Sequence, residues 1–270
     1  MSWLSRSALL VGDKGIDVLQ KSHVLVVGLG GVGSFAAEFM CRAGVGELTI
    51  VDGDVVDPSN RNRQLPALAT NHGEAKASIM AERLLAINPQ LKLHIIQDFL
   101  TPEKCEEIFI NRYDYVMDCI DSIMPKLFLL SSAYNSGHRV VSSMGAGGKL
   151  DPTKLKVADL LDTYQCQFAQ YVRKRIKRFG IGRGIKSVFS TEELIRSSLI
   201  MTDGSNFKRS AYGTISYLPA VFGGVCASVA LRDLMGLQVE LSERPLRIQM
   251  KKKVKKRTPI VAEQNLEACV

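Results

Sequence analysis

The chain has 270 residues, 46% of them apolar, and carries 35 basic against 27 acidic side chains, a net charge of +8. That apolar share buries a substantial core without disulfides, which excludes a disordered chain or a cystine-stapled scaffold, and six cysteines without pattern suit a reducing compartment. No long apolar stretch opens the chain, so a secretory leader is not expected and the cytoplasm is the expected location.

In chain order, strands are predicted near residues 23–28, 47–52, 91–97, 114–118 and 138–143, alternating with helices near 31–42, 73–87, 102–110 and 123–136. Such alternation predicts an α/β fold, a Rossmann-like doubly wound and mostly parallel sheet, with a C-terminal extension of mixed strands and helices. The domain reading is one nucleotide-binding unit over 1–240, a basic helix and loop inserted at 160–190, and a basic tail over 241–270.

The first strand, Val24 to Val27, enters a turn with Gly28, Gly30, Gly31 and Gly33 that opens into a helix. Glycines let a phosphate approach the backbone closely, and the helix aims free N–H groups and the positive end of its dipole at the anion. The second strand ends at Asp52, where a nucleotide-binding fold places the carboxylate that accepts from a ribose hydroxyl. A nucleotide is the expected ligand, although such a glycine pattern most often serves NAD or FAD and sometimes only a tight turn.

Behind the second strand stands SNRNRQ, Ser59 to Gln64, and Lys76 opens the next predicted helix. A dehydrogenase has no need of these residues, whereas an enzyme that breaks a nucleoside triphosphate must neutralise charge on the transferring phosphates. Arg63 and Lys76 supply such charge, with Asn60 and Gln64 as neutral hydrogen-bonders. The competing reading puts both cations on a solvated loop and helix face.

The strand from Tyr115 to Met117 ends at Asp118, with Asp121 three residues later. Ligands of an open parallel sheet bind beyond the carboxyl ends of its strands, so both carboxylates are expected to point into the crevice with the glycine turn. Asp121 is the magnesium candidate, because that ion takes oxygen ligands and shares them with phosphates. It is equally placed to cap the helix beginning near Ile123, with Pro125 close to the helix start.

Two basic clusters follow. Arg173, Lys174, Arg175, Lys177 and Arg178 belong to a predicted helix whose other side carries Phe168, Val172, Ile176 and Phe179, and Arg183 and Lys186 extend it. The segment Arg244 to Arg257 holds eight basic residues and no acidic one. Either cluster can neutralise nucleic-acid phosphates, or remain a solvated face or tail. The uncharged run from Ser210 to Leu231 contains Pro219, Gly223 and Gly224 and is expected to be a buried helix of the core or a dimer interface rather than a membrane span.

GLGGVGS, VDGD, SNRNRQ, Lys76 and DCIDS stand in the order and spacing of the ThiF, MoeB and HesA superfamily, the adenylating relatives of the ubiquitin-activating enzymes, and the resemblance spans roughly residues 6–235. It implies ATP as substrate: the glycine turn and Asp52 for ATP, Asp54 near its adenosine side, Asn60, Arg63 and Lys76 for its phosphates, and Asp121 for Mg2+. It also implies a homodimer in which an N-terminal arginine crosses to the neighbouring site, and Arg6 lies where that residue falls. Ser142 to Leu160 and Ser187 to Glu193 resemble the tRNA threonylcarbamoyladenosine dehydratase branch. In that branch the threonylcarbamoyl carboxylate on adenosine 37 of tRNA is adenylated, and an intramolecular attack closes a ring with loss of AMP.

MoeB- and ThiF-like members commonly carry paired CxxC motifs for structural zinc, and Cys41, Cys105, Cys119, Cys166, Cys226 and Cys269 form no such pair, so structural zinc is not expected. Cys119 and Cys226 read as core, and Cys166, just before the basic helix, is the best thiol candidate. Some dehydratases have a cysteine shortly before the last long helix, where this chain has Lys208, Arg209 and Ser210. tRNA is the expected partner, favoured at the Arg173 to Arg178 cluster over the tail, with a cysteine-desulfurase-type sulfur-transfer system as a further one. The alternatives are an adenylyltransferase for the C-terminal diglycine of a ubiquitin-like or sulfur-carrier protein, and a non-enzymatic nucleotide sensor or NAD-binding scaffold.

Overall fold

The computed structural model describes residues 2–201 and 210–245. Mostly apolar runs, buried on both faces apart from the first residues of β1 and β2, make the central strands β1 (His23–Val27), β2 (Glu47–Val51), β4 (Tyr115–Asp118) and β5 (Val140–Ser143), as a sheet covered on both sides requires. With β3 (Lys92–Ile96), β6 (Leu155–Asp159) and β7 (Ile185–Ser190) they form one sheet in the order β3-β2-β1-β4-β5-β7-β6. All pairings are parallel except β6 with β7. The expected fold class is therefore present, with β7 an internal strand of the main sheet although it lies within the 160–190 segment. A short antiparallel pair, β8 (Leu199–Met201) and β9 (Ser210–Tyr212), stands apart.

The helices are α1 (Ser5–Lys21), broken at Gly12, α2 (Gly33–Arg42), α3 (Lys76–Ile87), α4 (Pro102–Ile108), α5 (Ile123–Asn135), α6 (Gln167–Ile176) and α7 (Tyr217–Leu234). One core layer joins Val24, Val26, Leu48 and Ile50 to Met40 of α2, Met80 of α3 and Phe222 of α7. The other joins Leu25, Val27 and Val116 to Ile108 of α4, Leu130 of α5 and Val172 of α6. Alternate residues of each strand thus serve opposite layers.

Two expected helices begin later than predicted. Residues 73–75 are drawn instead to the segment after β2, where Gly73 and Val56 pair backbone groups and Val55 bridges Ala75, so α3 opens at Lys76. The uncharged run from Ser210 is not one helix: its first residues form β9, and α7 starts only at Tyr217. By length and composition α7 is the one helix among the described residues that could cross a membrane, but Phe222, Cys226 and Val229 are buried in the first core layer, as expected of a core helix. It packs closely on α2, since a Cβ at Gly223 would stand 2.5 Å from the Val32 carbonyl oxygen.

Strand β1 lies between β2 and β4, with Val27 opposite both Val51 and Asp118. The chain winds outward through β2 and β3, then returns to β4 on the other side. The segments after β1, β2 and β4 therefore leave the sheet side by side at the switch point where such folds bind ligands.

Candidate active site

A cavity opens beyond these strand ends, lined by Gly28, Gly30, Gly31, Asp52, Asp54, Arg63, Gln64, Lys76 and Asp121 among others. Gly28 has φ +87°, and a Cβ at Gly33 would fall 1.7 Å from the Gly28 carbonyl oxygen, so the turn closes tightly under the start of α2. Gly33 therefore builds the turn from below and is not part of the cavity lining.

Asp52 ties the second strand to this turn: its carboxylate accepts from the Leu29 N–H at 2.5 Å and from the Asp54 N–H at 2.8 Å. Burial pushes its pKa up, against the pull of those two N–H groups and of the Lys76 charge. Since ribose binding calls on the ionised form, nucleotide affinity should fall on acidification at a higher pH than an ordinary aspartate would require. Calorimetric titration of ATP across the acidic range checks this, and Asp52→Asn should remove the dependence.

Lys76, whose side chain is 4% exposed, donates to Asp54 Oδ2 at 2.5 Å. The ammonium is thus held at the cavity wall rather than on a solvated helix face, and its charge is shared with Asp54. The Arg63 guanidinium is partly exposed and is steered by the Ser59 carbonyl and Asn62 Oδ1, each 2.9 Å from Nη1. Gln64 Oε1 is buried with no hydrogen-bond partner among the described residues. A nucleotide would supply one, as a donor to that oxygen or, with the amide turned over, an acceptor for its NH2.

Asp121 is exposed at the cavity, and the cap position of α5 belongs to Ser122 instead. A carboxylate in that lining suits a hard divalent cation with oxygen ligands.

Three of the named residues lie outside this lining. Asp118 does not point into the crevice; it is fully buried and paired with Lys126 Nζ at 2.5 Å, while the Ser142 hydroxyl donates to it at 2.6 Å. A buried carboxylate needs such partners, and Lys126 reaches it from the first turn of α5. Asn60 is buried outside the lining, where its Oδ1 accepts from the Asp57 N–H in a capping box. Arg6 is exposed on α1 and does not line the cavity of its own chain.

Further wall was not foreseen as a site: Asp98, Phe99 and Leu100 follow β3, Ser143 ends β5 and Met144 to Gly147 follow it, and Thr214 and Pro219 precede or open α7. Their common signal is position after a parallel strand, which was available for the β3 and β5 segments.

Burial pushes the thiols of Cys41, Cys105 and Cys226 up to about 11, 12 and 12, leaving them protonated and inert at neutral pH. Cys166 is buried too, its sulfur 3.9 Å from Lys149 Nζ. Cys269, Lys208, Arg209 and the tail beyond Pro245 lie outside the described residues.

The basic cluster is split by the fold. Lys174, Arg175, Lys177 and Arg178 are exposed, but Arg173 turns inward to donate to the Thr163 hydroxyl. Arg183 forms a two-pronged pair with Asp162 at 2.6 and 2.9 Å, and Lys186 pairs with Asp233 at 2.7 Å, so neither extends the cluster as free charge. The helix also stops at Ile176, and Phe179, in the tight turn that follows, is 40% exposed rather than buried. At its other end α6 meets the cavity wall, where Phe168 packs against Gly145.

The ThiF family model matches residues 4–269. The chain is 37% identical over 254 residues to the tRNA threonylcarbamoyladenosine dehydratase of Escherichia coli, covering 87% of this chain and 95% of that protein. It is 36% identical over 238 residues to the Bacillus subtilis protein of the same name, covering 86% and 94%. The crystal structure of the E. coli enzyme in complex with ATP superposes with a TM-score of 0.78 at 38% identity, over 86% of this chain and 93% of that one. Glycine turn, cationic wall and near full-length likeness together establish that this chain belongs to the ThiF family, within its tRNA threonylcarbamoyladenosine dehydratase branch.

Proposed function

We propose that the chain catalyses the ATP-dependent dehydration of threonylcarbamoyladenosine at position 37 of tRNA, through an acyl-adenylate. The observation that carries this reading is that Lys76, Arg63 and Asp121 line the same cavity as the glycine turn and Asp52. A site that only held a dinucleotide would have no use for two cations and a further carboxylate around the phosphates.

In the first step a carboxylate oxygen of the threonylcarbamoyl group attacks the α-phosphorus of ATP, and pyrophosphate leaves. Arg63 and Lys76 offset the negative charge gathered on the phosphates, and the N–H groups at the start of α2 hold their oxygens. Asp121 is the carboxylate that would hold Mg2+, which supplies further charge neutralisation there. In the second step an intramolecular attack on the acyl carbon expels AMP and closes the ring, so the base loses one water overall. With Cys41, Cys105 and Cys226 inert, this scheme draws on no thiol among them.

The exposed Lys174, Arg175, Lys177 and Arg178 form the tRNA surface of this reading, because α6 runs from the cavity wall outward. Changing these four to Gln should weaken tRNA binding and flatten its salt dependence, each lost phosphate contact reducing the slope by about 0.7 to 0.9. Removal of residues 244–270 should weaken it only modestly at low salt, as filter binding at several salt concentrations would register. A collapse of binding on that removal would move the tRNA surface to the tail.

A homodimer belongs to the same reading, with Arg6 delivered to the neighbouring cavity. The support is that Arg6 is exposed beside Leu9 and Leu10, which are 83% and 86% exposed on α1. A cytoplasmic setting and a cysteine-desulfurase-type partner go with it. The reading is tested by mass spectrometry of nucleosides from tRNA carrying threonylcarbamoyladenosine, after incubation with the protein, ATP and magnesium. A nucleoside lighter by one water, formed only with ATP, supports it. An unchanged mass, with pyrophosphate exchange dependent on a diglycine-ending protein, would replace it with the adenylyltransferase reading.

A further inference from the structure

At the opposite end of the strands from the nucleotide cavity, His23, Glu47 and His94 bring three ligand atoms within 4.8 Å of one another. His23 and Glu47 open neighbouring parallel strands in register, and His94 lies opposite Thr49, so alternation puts all three on one face of the sheet. We propose that His23, Glu47 and His94 form a binding site for a divalent d-block cation of the zinc type.

The donor set is right for such an ion: two imidazoles and one carboxylate, with a fourth position left for water. Zinc bonds of about 2.0–2.1 Å in a tetrahedron set ligand atoms about 3.3 Å apart. His23 Nδ1 and Glu47 Oε1 stand 3.4 Å apart, which already fits, and His94 Nε2 lies 2.8 Å from the same oxygen, a spacing that has to open. Thr49 Oγ1 is 2.8 Å from His23 Nε2 and is buried. With that nitrogen donating, Nδ1 keeps its lone pair toward Glu47, the outer hydrogen bond that metal-binding histidines use to fix their tautomer. Tyr113 packs edge-on against the His23 ring at 4.7 Å and limits its rotation. Asp114 is engaged by the His23 backbone N–H at 2.8 Å and is not counted as a ligand.

Lys92 Nζ now contacts Glu47 Oε1 at 2.9 Å, on a side chain 66% exposed. A cation bound between the three ligands takes over its contact, and the lysine swings into solvent. Lys92 is therefore a competitor of the ion, which distinguishes a metal site from an ordinary cluster of ion pairs.

The test is a competition titration of the untagged full-length protein with zinc against a chromophoric chelator. One equivalent per chain is expected, weakened at least about tenfold in His94→Ala and about tenfold in the isosteric Thr49→Val. Lys92→Ala should bind about two- to fivefold more tightly, since it removes a surface charge interaction and no ligand. Circular dichroism without metal confirms that each variant is folded, and His94, half exposed, is the least demanding of them. Absence of a saturable equivalent, its retention in His94→Ala and Glu47→Gln, or weaker binding in Lys92→Ala would overturn the proposal.

Discussion

Replacing Arg63 by Ala, or Asp121 by Ala, should lower the rate of AMP formation by about a hundredfold or more, the scale of losing one preorganised transition-state contact. Both side chains line the cavity, and neither contributes to the buried core. Among the described residues the Arg63 guanidinium is anchored by the Ser59 carbonyl and Asn62, so its removal takes away charge without opening a hole. Lys76→Ala is a less clean probe, because it also removes the contact that holds Asp54. Single-turnover kinetics with saturating ATP isolates the chemical step, and melting temperatures report the fold. Near-native rates in both variants would remove these residues from the mechanism.

The largest stability loss is expected from Lys126→Met, at about 3–5 kcal/mol, the cost of leaving one member of a buried ion pair uncompensated. Lys126 and Asp118 both have no exposed side-chain surface. Besides Asp118, the ammonium donates to the Ser143 carbonyl at 2.9 Å and contacts the Ser142 hydroxyl at 3.2 Å, so it joins the ends of β4 and β5. After the substitution Asp118 keeps, among the described residues, the Ser142 hydroxyl and the Ile120 N–H, too little for an ionised carboxylate in the core. The double variant Lys126→Met, Asp118→Asn should recover more than half of the loss in urea unfolding. A loss of under about 1 kcal/mol in the single variant would mean the pair behaves as an exposed one.

That pair also marks where sequence and structure part company. An apolar strand followed by closely spaced glycines leaves few conformations open, so β1, the turn and the start of α2 were legible almost residue by residue. Asp52 was legible for the same reason, because its place at the end of β2 follows from the topology. Asp118 also closes a strand, but it stands level with Val27 and Val51, one position short of the place of Asp52, and Lys126 of α5 holds it inside; eight residues of separation say nothing of which way that lysine points. The charge run at Arg173 to Arg178 read as one surface, yet Thr163 draws Arg173 in, and Asp162 and Asp233 claim Arg183 and Lys186. Composition counts charges but not the partners that tertiary packing supplies. The cavity walls after β3 and β5 carry mostly apolar and glycine residues, whose role depends on where they stand rather than on their chemistry.

The packing of α7 against α2 bears on how the protein holds ATP. Pro219 borders the cavity, and the Gly223 backbone rests against the Val32 carbonyl at the end of the glycine turn. The phosphate-binding turn lies near the start of the chain, yet part of its backing comes from residues 217–234, with Asp52 and Cys119 supporting it elsewhere. A chain cut before α7 keeps the motif but loses Pro219 from the cavity wall and the Gly223 contact beneath the turn, so it should bind ATP more weakly than the whole chain.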